Sequence, residues 1–198
     1  MIAKVQNHKT NNAVIADHLR LTAAEQGMLA LAVLDPGSKV LDMNPGECQL
    51  LEYLSRHMQC EICGVSGNMA EVRKARARFE NADILYTNQE DIPWRENSFD
   101  AVFFRAEPQA KNDIKLRETL RVLKPGGQLL LGVVGYPAPL WKASRFFTTD
   151  QERFSLSLFM HKTGWHRLLA EIGFHPIAWH SSRFTCKIAV GRKPIARK

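Results

Sequence analysis

The stretch KVLDMNPGECQLLEYL, Lys39 to Leu54, sets the terms for the whole chain. A short apolar run passes through a loop holding Gly46 and enters a helical pattern with Leu50, Leu51 and Leu54 on one side. The alternation continues downstream. Strand-like runs occur at SKVLDM, CEICGVS, ADILYTN, SFDAVFFRA and QLLLGVV, with helical patterns at ECQLLEYLSRHM, NMAEVRKARARFE and DIKLRETLRVL. In the second helical stretch Met69, Val72, Ala75 and Phe79 recur at core spacing, and its Arg/Lys positions read as a solvated face. Strands alternating with helices predict a mainly parallel sheet wound on both faces, with right-handed crossovers. Ligands of such sheets sit beyond the carboxyl ends of the strands. The loops after Met43, Val65, Tyr86 and Phe104 should therefore line the cleft.

The flanks are read in the same way. Residues 12–33 form one or two helices, NNAVIADHL and TAAEQGMLALAVL, the latter with Thr22 as N-cap and Glu25 three residues on. Pro36 and Gly37 end that segment, and KPGG stops the helix before QLLLGVV. GWHRLLAEIGF reads as a helix ended by Gly173. HPIAWHS and FTCKIAVGR are separated only by Ser182 and Arg183, which suits an antiparallel hairpin. From Gly135 to Lys162 the rhythm breaks, with Trp141, Phe146, Phe147, Phe154 and Phe159 among Lys142, Arg145, Arg153 and Lys162. This segment is either a helical cover or a lid for a flat or anionic substrate.

With 27 Lys+Arg against 20 Asp+Glu the formal net charge is +7. That balance admits an anionic partner, nucleic acid included, but the basic residues are scattered and no nucleic-acid-binding module is visible. No apolar run approaches the roughly 18 residues of a membrane span. The first residues lack an apolar signal core, so a cytoplasmic protein is expected, with Cys48, Cys60, Cys63 and Cys186 as reduced thiols. The CEIC pair lies in a strand-like run, where residues three apart point to opposite faces. Its thiols should diverge into the core, and no metal site is expected. His175 and His180 bracket a strand and should also face apart.

In order and spacing these motifs resemble the class I S-adenosylmethionine-dependent methyltransferases. VLDMNPGE resembles the family's first motif, and NQEDIPWRENSFDAVFF its acidic run leading to the fourth strand. LRETLRVLKPGGQLLL is similar to its helix, L-K-P-G-G turn and fifth strand. The resemblance implies a Rossmann-like fold: an α/β, doubly wound, mainly parallel seven-stranded sheet, helices on both faces, and an antiparallel C-terminal hairpin. It implies one domain over residues 1–198: N-terminal helices 1–36, a cofactor-binding core 37–134, a variable lid-like segment 135–162, a last helix and hairpin 163–192, and a tail 193–198. It also implies S-adenosylmethionine as cofactor, and Asp42, Asn44, Gly46, Ser66, Asn88, Gln89, Glu90 and Arg105 as residues around it.

The chain departs from the family in this cleft. The three small loop positions read Asn44, Gly46 and Cys48. Pro45 pushes Asn44 toward extended backbone and removes a donor. Ser66 stands where the family carries an acid for the ribose hydroxyls, a difference of roughly 1–3 kcal/mol in binding. Asn88 stands where the adenine amino group is contacted, and its carbonyl can accept that bond. Each has a plain structural alternative: Asp42 as a cap on the loop backbone, Gly46 as a helix-start turn, Ser66 as a turn residue, Asn88 as an ordinary loop residue. Methyl transfer needs alignment more than a reactive protein group, because the cofactor brings the reactive centre. His161 and His166 are the candidate bases, with a structural or solvent-exposed role for His161 as the plainer reading.

Two functions from different classes follow. One is an enzyme transferring methyl in line to a small-molecule acceptor. The other is a methyltransferase-fold protein without that activity, serving as a binding or assembly module. A dinucleotide oxidoreductase fits less well, since its glycine fingerprint and ribose acid are missing.

Overall fold

Thr22 opens the first described helix, α1 (Ala23–Leu31), with a capping box. Its hydroxyl accepts from the Glu25 N–H, and the Glu25 carboxylate accepts from the Thr22 N–H at 2.7 Å. The computed structural model describes residues 21–106, 112–134, 162–181 and 186–195. The predicted NNAVIADHL helix, the lid-like segment up to His161 and the turn residues 182–185 lie outside them.

Eleven further elements follow: β1 (Lys39–Asp42), α2 (Gln49–Met58), β2 (Glu61–Ser66), α3 (Met69–Arg78), β3 (Asp83–Tyr86), β4 (Phe99–Ala106), α4 (Asn112–Val122), β5 (Leu123–Val134), α5 (Lys162–Ile172), β6 (Ile177–Ser181) and β7 (Cys186–Arg192). They build a seven-stranded sheet in the order β3-β2-β1-β4-β5-β7-β6. The pairs among β1 to β5 are parallel, and β7 runs antiparallel to both β5 and β6. Strand order reverses between β1 and β4, which makes their C-terminal tips the switch point.

Each face carries its own core. α1, α2 and α3 cover one, with Met28, Leu50, Leu51, Leu54, Val72 and Ala75 packed on Val40, Phe103 and Leu130. α4 and α5 cover the other, with Leu116, Val122, Trp165 and Leu169 on Leu41, Phe104 and Leu131. Cys60 and Cys63 separate onto these two faces, as strand geometry requires, and all four cysteines are buried and unpaired. Met69 departs from its expected core position. It is the first residue of α3, at the sheet's C-terminal edge, and is 43% exposed.

The KPGG stretch lies within β5 as an irregularity: Phe99 pairs with Leu123, but Ala101 pairs with Gln128. Gly126 has φ +81°, and a Cβ on Gly127 would sit 2.8 Å from the Lys124 carbonyl oxygen, so both glycines are sterically required. Gly173 ends α5 at φ +114°. No helix among the described residues is long and apolar enough to cross a membrane.

Candidate functional site at the strand tips

The parallel register assembles the site. Asp42 lies opposite Gly64 of β2 and Phe103 of β4, and Ser66 lies opposite Tyr86 of β3. The tips of β1, β2 and β4 thus bring Asp42, Asn44, Gly46, Ser66 and Arg105 to one edge. Asn88, Gln89 and Glu90 enter from the loop after β3.

Asp42 is buried. Its Oδ1 accepts the Asn44 N–H at 2.9 Å and lies 3.8 Å from Arg105 Nη2, whereas Oδ2 has no hydrogen-bond partner. Burial pushes its pKa above the usual carboxylate value. The Arg105 guanidinium and the Asn44 N–H oppose that rise, and the Glu25 and Glu71 carboxylates add to it. Asp42 therefore caps the loop backbone with one oxygen and holds the other in reserve.

Arg105 reaches from β4 to two carboxylates. Its Nη1 donates to Glu25 Oε1, and Glu25 is itself buried by the capping box of α1. Two buried acids share one guanidinium, so the cluster holds one negative charge in excess when both are ionised. The participation of Glu25 was not legible in the sequence: its role at the helix cap was, but its ion pair spans 80 positions.

The loop keeps left-handed backbone at two places, Gly46 (φ +48°) and Cys48 (φ +65°), and Asn44 is not one of them. The Pro45 carbonyl accepts the Cys48 N–H at 2.7 Å, closing a turn. A Cβ on Gly46 would lie 3.9 Å from Arg105 Nη2. The loop thus faces the guanidinium with bare backbone where Gly46 stands.

Ser66 is buried at the tip of β2. Its hydroxyl accepts the Asn68 N–H at 3.0 Å and donates to Glu71 Oε2 at 2.7 Å. Asn88 is exposed, and its Oδ1 accepts the Glu90 N–H at 3.1 Å, which folds the loop on itself. Gln89 is buried with φ +66°. Its amide nitrogen donates to the Met43 carbonyl and to Asn44 Oδ1 at 2.8 Å, and its carbonyl accepts from Lys115 Nζ at 2.8 Å. That side chain clamps the tip of β1 to α4. Glu71 and Lys115, which the sequence reading did not single out, are further members of the site.

His161 lies outside the described residues. His166 sits on α5 and its Nδ1 accepts from Trp179 Nε1 at 3.3 Å on β6, which β4, β5 and β7 separate from β1. That bond runs to a distant strand, and the described contacts do not join His166 to Asp42 or Ser66. Among the described residues no cluster of His, Cys, Asp and Glu can hold a metal ion.

Residues 41–131 match the family model described as "Methyltransferase domain". The ubiquinone/menaquinone biosynthesis C-methyltransferase UbiE of Agrobacterium fabrum is 32% identical over 107 residues, covering 49% of this chain and 41% of that protein. The chain thus spans about two-fifths of the curated relatives it matches. Among solved structures, a chain of the Haloferax volcanii complex between the Trm112 methyltransferase activator and a protein assigned as a methyltransferase superposes with TM-score 0.71 at 19% identity, covering 94% of this chain and 95% of that one. Phosphoethanolamine N-methyltransferase 2 of Haemonchus contortus, solved in complex with S-adenosyl-L-methionine, superposes with TM-score 0.64 at 14% identity, over 86% of this chain and 52% of that one. These structural likenesses establish the fold. Residues 41–131 thus match a methyltransferase domain, and the sheet topology is the Rossmann-like fold of the solved methyltransferases it superposes on.

Proposed function

We propose that this protein transfers a methyl group from S-adenosylmethionine to a small-molecule acceptor. The observation that carries the reading is the unpartnered, buried Oδ2 of Asp42, beside a guanidinium that Asp42 shares with Glu25. A buried carboxylate oxygen without a partner is costly, and a cationic ligand group would satisfy it. S-adenosylmethionine offers an ammonium and a sulfonium, so the residues present fit it. Asp42 would hold its cationic amino-acid end, Gly46 would let backbone approach it, and Ser66 and Asn88 would face its nucleoside.

Bound there, the cofactor supplies a methyl group made electrophilic by the sulfonium. The chain's part is to align and desolvate it. Gln89 and Lys115 fix the β1 tip against α4, and Arg105 fixes Asp42 beside the loop. The relatives' names, which place them in ubiquinone and menaquinone biosynthesis, support a small-molecule acceptor. Four buried, unpaired thiols support a reducing, cytoplasmic setting.

A second reading is a fold without methyl transfer that acts as a binding or assembly module. It is favoured by Arg105 being committed to Glu25, and by the matched chain whose structure is a complex with an activator. Calorimetric titration of the full chain with S-adenosylmethionine and S-adenosylhomocysteine separates the two. Micromolar binding that Gly46→Val abolishes is the expected result, since valine at φ +48° is strained and would distort the loop. A folded protein that binds neither ligand at millimolar concentration refutes the enzyme and leaves the module.

A further inference from the structure

We propose that Glu71 supplies the carboxylate that receives the ribose hydroxyls of the nucleoside ligand in this cleft. The proposal rests on the methyltransferase reading and names a residue for one part of that ligand. In a doubly wound sheet the ribose is held by an acid near the end of the second strand. A vicinal diol presents two O–H donors along one edge, and a carboxylate presents two acceptors to match. The tip of β2 offers Ser66 instead, whose single proton is already given to Glu71.

The missing acid is thereby restored one hydrogen bond away. Glu71 stands in the first turn of α3, where the helix dipole favours a negative charge. Its comparison within the molecule is Glu25. Both are third residues of a helix, but Glu25 bonds directly to the N–H of its own cap residue. At α3 the corresponding Asn68 N–H goes to Ser66 Oγ, and Glu71 accepts from that hydroxyl instead. The cap of α3 is completed by Asn68, whose Oδ1 accepts the Ala70 N–H at 2.9 Å, without any need for Glu71. The Glu71 carboxylate is half-buried and bonds to Ser66 through one oxygen. Its charge adds to the rise of the Asp42 pKa.

The surroundings suit a nucleoside. Tyr86, opposite Ser66 in the β2–β3 register, is 56% exposed, and Met69 on the first turn of α3 is 43% exposed. They are exposed apolar side chains on the elements flanking the Ser66–Glu71 pair, at the same edge of the sheet, and a flat base can rest on such surfaces. Asp42, with its unpartnered Oδ2, stands at the tip of the neighbouring strand. A molecule with a cationic end and a ribose would span Asp42 and Glu71.

The test is calorimetric titration of the full chain with S-adenosylhomocysteine and with its 2′-deoxy analogue. The wild-type protein is expected to prefer the ribose form about 10- to 100-fold, the range for charge-assisted hydrogen bonds. Glu71→Gln should weaken the ribose form by a similar factor and leave the deoxy form nearly unchanged, so that the preference collapses. Adding Ser66→Asp to Glu71→Gln should restore it. Equal weakening of both ligands would assign Glu71 a structural role and overturn the proposal. A wild-type protein without preference overturns it as well, whatever the stability of the variant. Preference retained in Glu71→Gln overturns this proposal alone, whereas a wild-type protein that binds neither ligand overturns the methyltransferase reading with it.

Discussion

Arg105→Met tests whether one guanidinium holds the strand tips together. Methionine keeps most of the side-chain volume and removes the charge. The loss leaves Glu25 and Asp42, both buried, facing each other without a counter-ion. Removing one partner of a buried pair costs about 3–5 kcal/mol. Arg105 is 22% exposed, so water can soften the penalty, and about 3 kcal/mol is expected. For a chain of this size that lowers the unfolding midpoint by about 6–12 °C.

The pH dependence gives a sharper check. Burial holds the Asp42 pKa above its unfolded value of 3.8, and Arg105 is the leading opposition to that rise. In this window the folded state binds more protons than the unfolded one, so stability falls as pH rises through the folded value. Removing Arg105 raises the folded value further. The deficit of Arg105→Met should therefore be largest near pH 7.5 and shrink toward pH 5, and Asp42→Asn in the same background should recover part of it at pH 7.5. Urea unfolding at the two pH values measures this. A loss under about 1 kcal/mol at pH 7.5, or one equal at both pH values, would refute an ionised, guanidinium-compensated cluster.

Other outcomes follow from single positions. Gln59 is an exposed helix cap at φ +54°, so Gln59→Gly should stabilise the protein by about 1 kcal/mol in urea unfolding, because glycine adopts left-handed backbone without strain. Gln89→Ala removes the bonds that tie the Met43 carbonyl and Lys115 together, and should cost about 2 kcal/mol by the same measurement. Burial pushes the Cys60 thiol up to about 11 and the Cys63 thiol up to about 12. At pH 8 a disulfide reagent should therefore label the native protein slowly, and all four cysteines quickly once guanidinium unfolds it.

The architecture was legible because periodicity is local. Leu50, Leu51 and Leu54 announce a one-sided helix, and CEICGVS announces a buried strand, whatever surrounds them. The capping box at Thr22 and Glu25 was legible for the same reason: its partners are three residues apart. Met69 misled because helical spacing says which side a residue faces, not whether the sheet extends beneath it.

The sequence by itself determined the alternation of elements, the burial of two faces, and the strand–loop–helix at Lys39–Leu54 from which the class of ligand is inferred. Only the tertiary structure decided how the charges in the cleft are shared. Glu25 meets Arg105 across 80 positions, Lys115 meets Gln89 across 26, and Glu71 leans on Ser66 through a relayed cap. Side-chain pairing between distant elements depends on strand order and register, which residue spacing along the chain does not encode. Ser66, read alone, is a lost acid; the fold puts a carboxylate back beside it.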